Sequence, residues 1–200
     1  MNGVIVVFGR EPVPGRTKTR LAHAIGAKRA AAVSRALLER TLAEAAATGV
    51  PVVLSLAAPL TGVWSPPGGV AVEVQCGGDL GRRMGDAFAR RFAAGAERVL
   101  LVGSDCPGAD AGRLGAALGL LDTHPVVLGP ARDGGYWAIG QRAPGVDCFT
   151  GVPWSSPETL RATRERLRGL GVSWAETVAL ADVDTVEDLE RLQREGPGFR

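Results

Sequence analysis

Arg10, Arg16, Lys18 and Arg20 crowd one short segment, GREPVPGRTKTRL (residues 9–21), whose two glycines and two prolines impose a stiff turn. Cations gathered beside the free backbone N–H groups of a helix start can hold a phosphate or a diphosphate. Arg10, Arg16, Lys18 and Arg20 are therefore candidates to bind a phosphate or diphosphate, with Lys18 a candidate catalytic residue as well. The segment is not a Walker loop, in which Lys directly follows the second Gly; here Lys18 comes three residues after Gly15. The alternative is a solvated basic turn. Lys18 weighs against that alternative, because the 23 basic residues include only two lysines, Lys18 and Lys28. An Arg- and Ala-rich composition is what a GC-rich genome writes. A lysine kept in a basic loop points to a need for a compact ammonium that a planar guanidinium does not imitate.

Acids stand at later loops. The run RVLLVG (residues 98–103) leads into Ser104-Asp105-Cys106-Pro107, which can present a carboxylate at the end of a buried strand. Mg²⁺ with a substrate diphosphate takes few protein carboxylates, so Asp105 is a candidate metal ligand and catalytic acid; the alternative is a turn or helix-capping Asp. In ADVDTVEDL (residues 181–189) Asp184 is a candidate second ligand, against the alternative that Asp184 or Thr185 caps a last helix. In RDGGYW (residues 132–137) Gly134 and Gly135 would let a ligand approach the backbone, and Tyr136 or Trp137 could stack on a sugar or base. Asp-Gly-Gly is equally an ordinary turn. CGGDLG (residues 76–81) has Cys where a dinucleotide fingerprint needs its first Gly, and it follows the third strand rather than the first.

These loops need strands and helices to carry them. GVIVVFG (3–9) is too short and too β-branched for a helix and reads as a buried strand. Further strands are expected at 51–57, 70–76, 98–103, 125–129, 136–140 and 172–180. Helices are expected at 26–47, 79–94, 110–121, 156–169 and from about 185. In the second of these, Leu80, Met84, Phe88 and Phe92 form a core-facing stripe. Strand–helix alternation implies an α/β sandwich with a mainly parallel sheet and ligands beyond the carboxyl ends of its strands. Residues 125–140 read as an irregular excursion at a mixed-sheet edge.

Composition narrows the classes. The 200 residues are 46% hydrophobic and 22% charged, ordinary globular usage. The 23 basic and 21 acidic residues leave a net charge of +2, too even for a nucleic-acid or membrane-surface binder. Cys76, Cys106 and Cys148 are scattered and odd in number, and His23 and His124 are the only histidines. A disulfide framework, a zinc site and a Ser-His-Asp triad are thus not expected. No apolar run reaches the ~18 residues of a membrane span, and the N-terminus has no basic region ahead of its apolar run, so neither span nor signal peptide is expected. The expected location is the cytoplasm.

Taken in order, FGREPVPGRTKTRL, GGDLGRRM, LVGSDCP, LGPARDGGYW, VPWSSPETL and DVDTVEDL resemble the signature blocks of a bacterial family of small glycosyltransferase-A-fold proteins, over roughly residues 3–192. Its members are often labelled glycosyltransferases, some of the arsenosugar-biosynthesis type, and the family is similar to nucleotidyltransferases of the molybdenum-cofactor and phospholactate-guanylyltransferase kind. The resemblance implies the nucleotide-diphospho-sugar transferase fold: a Rossmann-like three-layer α/β/α sandwich with a mainly parallel mixed sheet. It implies one domain over 1–200, with a nucleotide-binding half at about 1–107 and an acceptor half at about 108–200. It places Gly9, Arg10, Gly15, Lys18 and Arg20 in the phosphate loop, Asp105 at the metal, and Asp79, Arg83 and Asp133 in the cleft. Trp154, in VPWSSPETL, would join Gly134, Gly135, Tyr136 and Trp137 on the acceptor side. The sequence departs from the family where Gly108-Ala109 replaces Asp-Leu after Cys106-Pro107. The expected activity is a Mg²⁺- or Mn²⁺-dependent transfer from a nucleotide-sugar to a small acceptor, with glycosyl transfer slightly favoured. The alternatives are nucleotidyl transfer from a nucleoside triphosphate and a non-catalytic nucleotide-binding accessory protein.

Overall fold

The computed structural model describes residues 2–195. Its elements, in chain order, are β1 (Gly3–Gly9), α1 (Thr19–Ile25), α2 (Ala27–Ala47), β2 (Val52–Leu56), β3 (Ala71–Val74), α3 (Leu80–Ala93), β4 (Arg98–Gly103), α4 (Ala111–Leu120), β5 (Val126–Pro130), β6 (Tyr136–Arg142), α5 (Thr159–Gly169), β7 (Trp174–Glu176) and α6 (Val186–Glu195). The seven strands form one sheet in the order β3-β2-β1-β4-β6-β5-β7. β1 pairs parallel with β2 and β4, β2 with β3, and β5 with β7. β6 alone runs antiparallel, to both β4 and β5.

Period-two alternation in the central strands feeds two cores. Ile5, Val7, Leu100 and Val102 face Leu38 and Leu42 of α2 and Leu114 and Leu118 of α4. Val6, Val99 and Leu101 face Met84 and Phe88 of α3 and Leu160 and Leu167 of α5. Helices on both faces of a mostly parallel sheet make the three-layer α/β/α sandwich that the strand–helix alternation predicted. A third cluster, Leu21, Ala30, Leu37, Val183 and Leu189, joins α1, α2 and α6.

Two details correct the reading from sequence. Residues 125–140 are not at an edge: β6 lies inside the sheet, buried along nearly its whole length and paired on both sides. A hairpin turn at 131–135 returns the chain antiparallel between β4 and β5, while short β7 takes the edge position. The basic segment also ends in its own short helix, α1, which Gly26 (φ 83°) separates from α2. Parallel β1, β2 and β4 end on the same side of the sheet, and the loops after them meet there.

Candidate functional site

A cleft of about 340 Å³ opens beyond those strand ends, lined at its polar end by Arg10, Lys18, Arg20, Ser104, Asp105 and Asp184. Phe8, Ala57, Gln75, Leu80 and Arg83 are also among its lining. At the polar end the Lys18 ammonium donates to Asp105 Oδ1 at 2.5 Å and to Asp184 Oδ1 at 3.1 Å. The Lys18 side chain is only 4% exposed, whereas those of Asp105 and Asp184 are 50% and 44% exposed. Burial by itself would lower the Lys18 pKa, but the carboxylate of Asp105, and then that of Asp184, more than reverse this and raise it. The ammonium is therefore charged throughout the physiological range.

Lys18 reaches this point from a left-handed backbone conformation (φ 49°, ψ 48°) just before α1, while its carbonyl accepts from Ala22 N–H. A non-glycine residue held there is strained, and such strain concentrates at functional sites. The loop is pinned from behind by Glu11, whose buried carboxylate accepts from the N–H groups of Thr61, Val63 and Trp64 at 2.7, 3.1 and 3.3 Å. Burial pushes the Glu11 pKa up, and the hydrogen bonds from Thr61, Trp64 and Val63 outweigh it and hold it below the usual range. The Trp64 indole N–H in turn donates to Glu39 on α2.

The acids are brought together by the C-terminal segment. Val183 N–H donates to the Asp105 carbonyl at 3.0 Å, and the Val183 side chain is sealed into the third core cluster. Extended backbone alternates sides, so Asp182 and Asp184 turn away from that core. Thr185 and Asp188 form a capping box for α6: Asp188 Oδ2 accepts from Thr185 N–H at 2.9 Å, and Thr185 Oγ1 accepts from Asp188 N–H at 3.3 Å. Those two residues meet the needs of the helix start, which leaves the Asp184 carboxylate for Lys18. Asp182 is pushed up to about 6 by burial and by the neighbouring charge of Asp133, then of Asp184 and Asp105. Burial, together with Asp182, Asp105 and Asp133, also raises the pKa of the Cys106 thiol, so this cysteine is not an activated nucleophile.

Two hard, half-exposed carboxylate oxygens converging on one cationic position are the donor set that Mg²⁺ or Mn²⁺ accepts when it keeps phosphate and water ligands. Among the described residues no three His, Cys, Asp or Glu side chains group into a protein cage for a metal.

Residues 41–156 match the family described as an uncharacterized protein conserved in bacteria (DUF2064). The chain belongs to this family. A protein from Desulfovibrio desulfuricans G20, provisionally named a nucleotide-diphospho-sugar transferase, is 31% identical to this DUF2064 chain, with a TM-score of 0.91 over 99% of this chain and 89% of its own. Two more distant structures share the fold. Rv0371c from Mycobacterium tuberculosis H37Rv, in complex with manganese, is 18% identical with a TM-score of 0.61, over 97% of this chain and 98% of that one. CMP:2-keto-3-deoxy-manno-octonic acid synthetase complexed with CTP is 16% identical with a TM-score of 0.58, over 98% of each chain. No curated protein matches the DUF2064 chain.

The structure distributes the sequence-derived candidates unevenly. Gly9, Arg10, Lys18, Arg20, Arg83, Asp105 and Asp184 all line the cleft. Gly15 shapes the loop from outside that lining, with φ 80°. Asp79 caps α3 by accepting from Arg82 N–H at 2.8 Å and lies off the cleft lining. Asp133 accepts from Gly135 N–H at 2.8 Å; it lies off the cleft lining but near enough to Asp182 to raise its pKa.

The stacking platform expected at 134–137 and 154 is not built. Trp137 is 2% exposed, packs on Gly129 and donates its indole N–H to the Val178 carbonyl at 3.1 Å. Tyr136 packs edge-on against Trp154, both half-buried on the α3/α5-side core, and Trp154 packs against Phe149. Trp154 also covers Gly81, where a Cβ would come within 2.6 Å of its ring. Gly134 and Gly135 form the Asx turn between β5 and β6, with Gly134 at φ 91° under Pro157. Trp137 is a core residue because a strand inside the sheet buries both its faces, while Tyr136 at the strand's start and Trp154 in the loop before α5 are half-buried against the core.

The sequence reading did not single out the polar wall residues Thr17, Thr19, Ser34, Gln75 and Ser104, nor Asp182 beside the acids. Only Asp182 carried a legible signal, the Asp-x-Asp spacing that sets two carboxylates on one side of an extended chain.

Proposed function

We propose that this chain is a nucleotidyltransferase: it binds a nucleoside triphosphate in the cleft and passes the nucleotidyl group to a small acceptor, releasing diphosphate. One observation carries the reading. Arg10, Lys18, Arg20 and Arg83 line a single cleft that holds only two lining carboxylates, an excess of cationic charge suited to a triphosphate more than to a diphospho-sugar. The shared fold of the CTP-bound synthetase supports the same class. Nucleotide binding falls mainly to residues of about 1–107 and acceptor binding to about 108–200, with Asp184 crossing from the second half into the first half's site. Candidate catalytic groups are Lys18, Asp105 and Asp133.

A Mg²⁺ or Mn²⁺ ion held by Asp105 and Asp184 would polarise the phosphoryl oxygens and offset their charge. The arginines and Lys18 bind and orient the phosphate chain, and the ammonium neutralises charge that develops on the leaving diphosphate. Catalysis of this kind rests on positioning and electrostatics, so the scarcity of histidine is no obstacle.

A second reading, glycosyl transfer from a nucleotide-sugar, is favoured by the provisional name of the Desulfovibrio protein. A thermal-shift panel of nucleoside triphosphates and nucleotide-sugars, with and without Mn²⁺, separates the two. The expected result is the largest stabilisation by one triphosphate with Mn²⁺, accompanied by diphosphate release when acceptors are supplied. A larger shift with a nucleotide-sugar turns the assignment to glycosyl transfer. Tight binding with no product from either donor class across an acceptor panel leaves a binding accessory.

A further inference from the structure

The Lys18 ammonium sits between Asp105 and Asp184, within hydrogen-bonding distance of one carboxylate oxygen of each. That position is the one from which both proposed metal ligands can be reached at once. We propose that Lys18 is a latch on the metal site: it neutralises the two carboxylates until polyphosphate draws its ammonium away, so the divalent cation enters with the nucleotide and not before it. The proposal rests on the assignment of Asp105 and Asp184 as metal ligands and adds an order of binding to it.

Three features argue for a movable contact rather than a permanent structural bridge. The two carboxylates are half-exposed to the cleft, so water, phosphate and cations reach them from the open side. The ammonium hangs on a flexible four-carbon stem, while its backbone is fixed ahead of α1. Arg10, Arg20 and Arg83 line the same cleft and would gather a polyphosphate within reach of that stem. An ammonium and a divalent cation cannot both sit between the same two oxygens. A phosphate chain resolves the conflict by giving Lys18 another set of anionic oxygens.

Latching predicts that the metal site of the free protein is masked and that removing the ammonium unmasks it. Binding of Mn²⁺ alone to nucleotide-free protein, followed by electron paramagnetic resonance of the free ion, tests this. Lys18→Met is expected to bind Mn²⁺ about tenfold or more tightly than wild type, the loss of one competing charged hydrogen-bond pair. Arg20→Met removes the same charge from the cleft wall without touching either carboxylate and is expected to change Mn²⁺ binding far less. Adding Asp105→Asn to Lys18→Met is expected to abolish the gain.

The latch is overturned if wild type binds Mn²⁺ as tightly as Lys18→Met, or if Arg20→Met gives an equal gain, which would mark a general effect of charge. If Lys18→Met and its Asp105→Asn derivative bind Mn²⁺ equally well, the ion lies elsewhere and the metal assignment itself fails. Circular dichroism checks folding, and Lys18→Asn, which tolerates the left-handed backbone, repeats the test should the Met variant unfold.

Discussion

Val183 donates its backbone N–H to the carbonyl of Asp105, fastening the segment before the last helix to the end of β4. The bond sets the two cleft acids, Asp105 and Asp184, in a fixed relation although the chain between them runs through three strands and two helices. Lys18, from the other end of the sequence, closes the triangle.

Replacing Lys18 by Ala is expected to weaken triphosphate binding by about 2 kcal/mol, the size of a lost charge-assisted hydrogen bond. Titration calorimetry with the nucleotide that gives the largest thermal shift measures it. Unchanged affinity would remove Lys18 from the phosphate site.

Asp105→Asn keeps the size of the side chain and removes its charge. The stimulation of nucleotide binding by Mn²⁺ is expected to disappear, while metal-free binding changes little or improves as a negative charge leaves the cleft. Calorimetry with and without the ion reads both effects, and full metal-dependent turnover in this variant would refute the metal assignment.

Glu11 carries a pH dependence whose sign follows from its lowered pKa. A carboxylate held below its unfolded value contributes stability above that unfolded value and loses it as pH falls through the folded one. The Tm advantage of wild type over Glu11→Gln is therefore expected to be largest near neutrality and to fade at acid pH. A difference that stays constant down to pH 3 would show that the hydrogen bonds do not depend on the charge.

At Gly134 an added Cβ would overlap the Pro157 carbonyl, in a backbone conformation (φ 91°) that side chains avoid. Gly134→Ala is expected to destabilise the fold by at least about 2 kcal/mol in urea unfolding. A near-neutral result would mean that the turn and the segment at 157 separate readily.

Trp137 tests the correction to the acceptor platform. Trp137→Phe loses the hydrogen bond to Val178 and leaves the carbonyl short of a donor, at an expected cost of about 1–3 kcal/mol of stability. Nucleotide affinity measured on the folded fraction is expected to hold. A selective loss of acceptor binding with unchanged stability would restore Trp137 to the site.

Most of the architecture was legible because its signals are local. The run RVLLVG is β4 residue for residue, and of the stripe Leu80, Met84, Phe88 and Phe92 the middle two are in the core and Phe92 packs against it, whereas Leu80 is exposed on the cleft wall. The gathering of Arg10, Lys18 and Arg20 at one cleft was legible for a similar reason, since they are neighbours in sequence. What stayed hidden depends on pairing across the sheet. Tyr136 and Trp137 read as an aromatic platform because nothing local says that β6 will be enclosed by β4 and β5. Asp79 and Asp184 are both acids placed just before a helix, and only the tertiary structure separates them. Asp79 spends its carboxylate on Arg82 N–H, whereas Thr185 and Asp188 cap α6 and spare Asp184 for Lys18.

The attachment of Asp184 through the last turn before α6 also bears on how the molecule comes into being. During synthesis the basic loop that carries Lys18 emerges first, next to β1, and Asp105 follows about halfway along the chain. The second carboxylate leaves the ribosome only after all seven strands. A nascent chain that has already made the whole sheet still lacks half of the proposed cation site, so the site is completed only when the final helix docks.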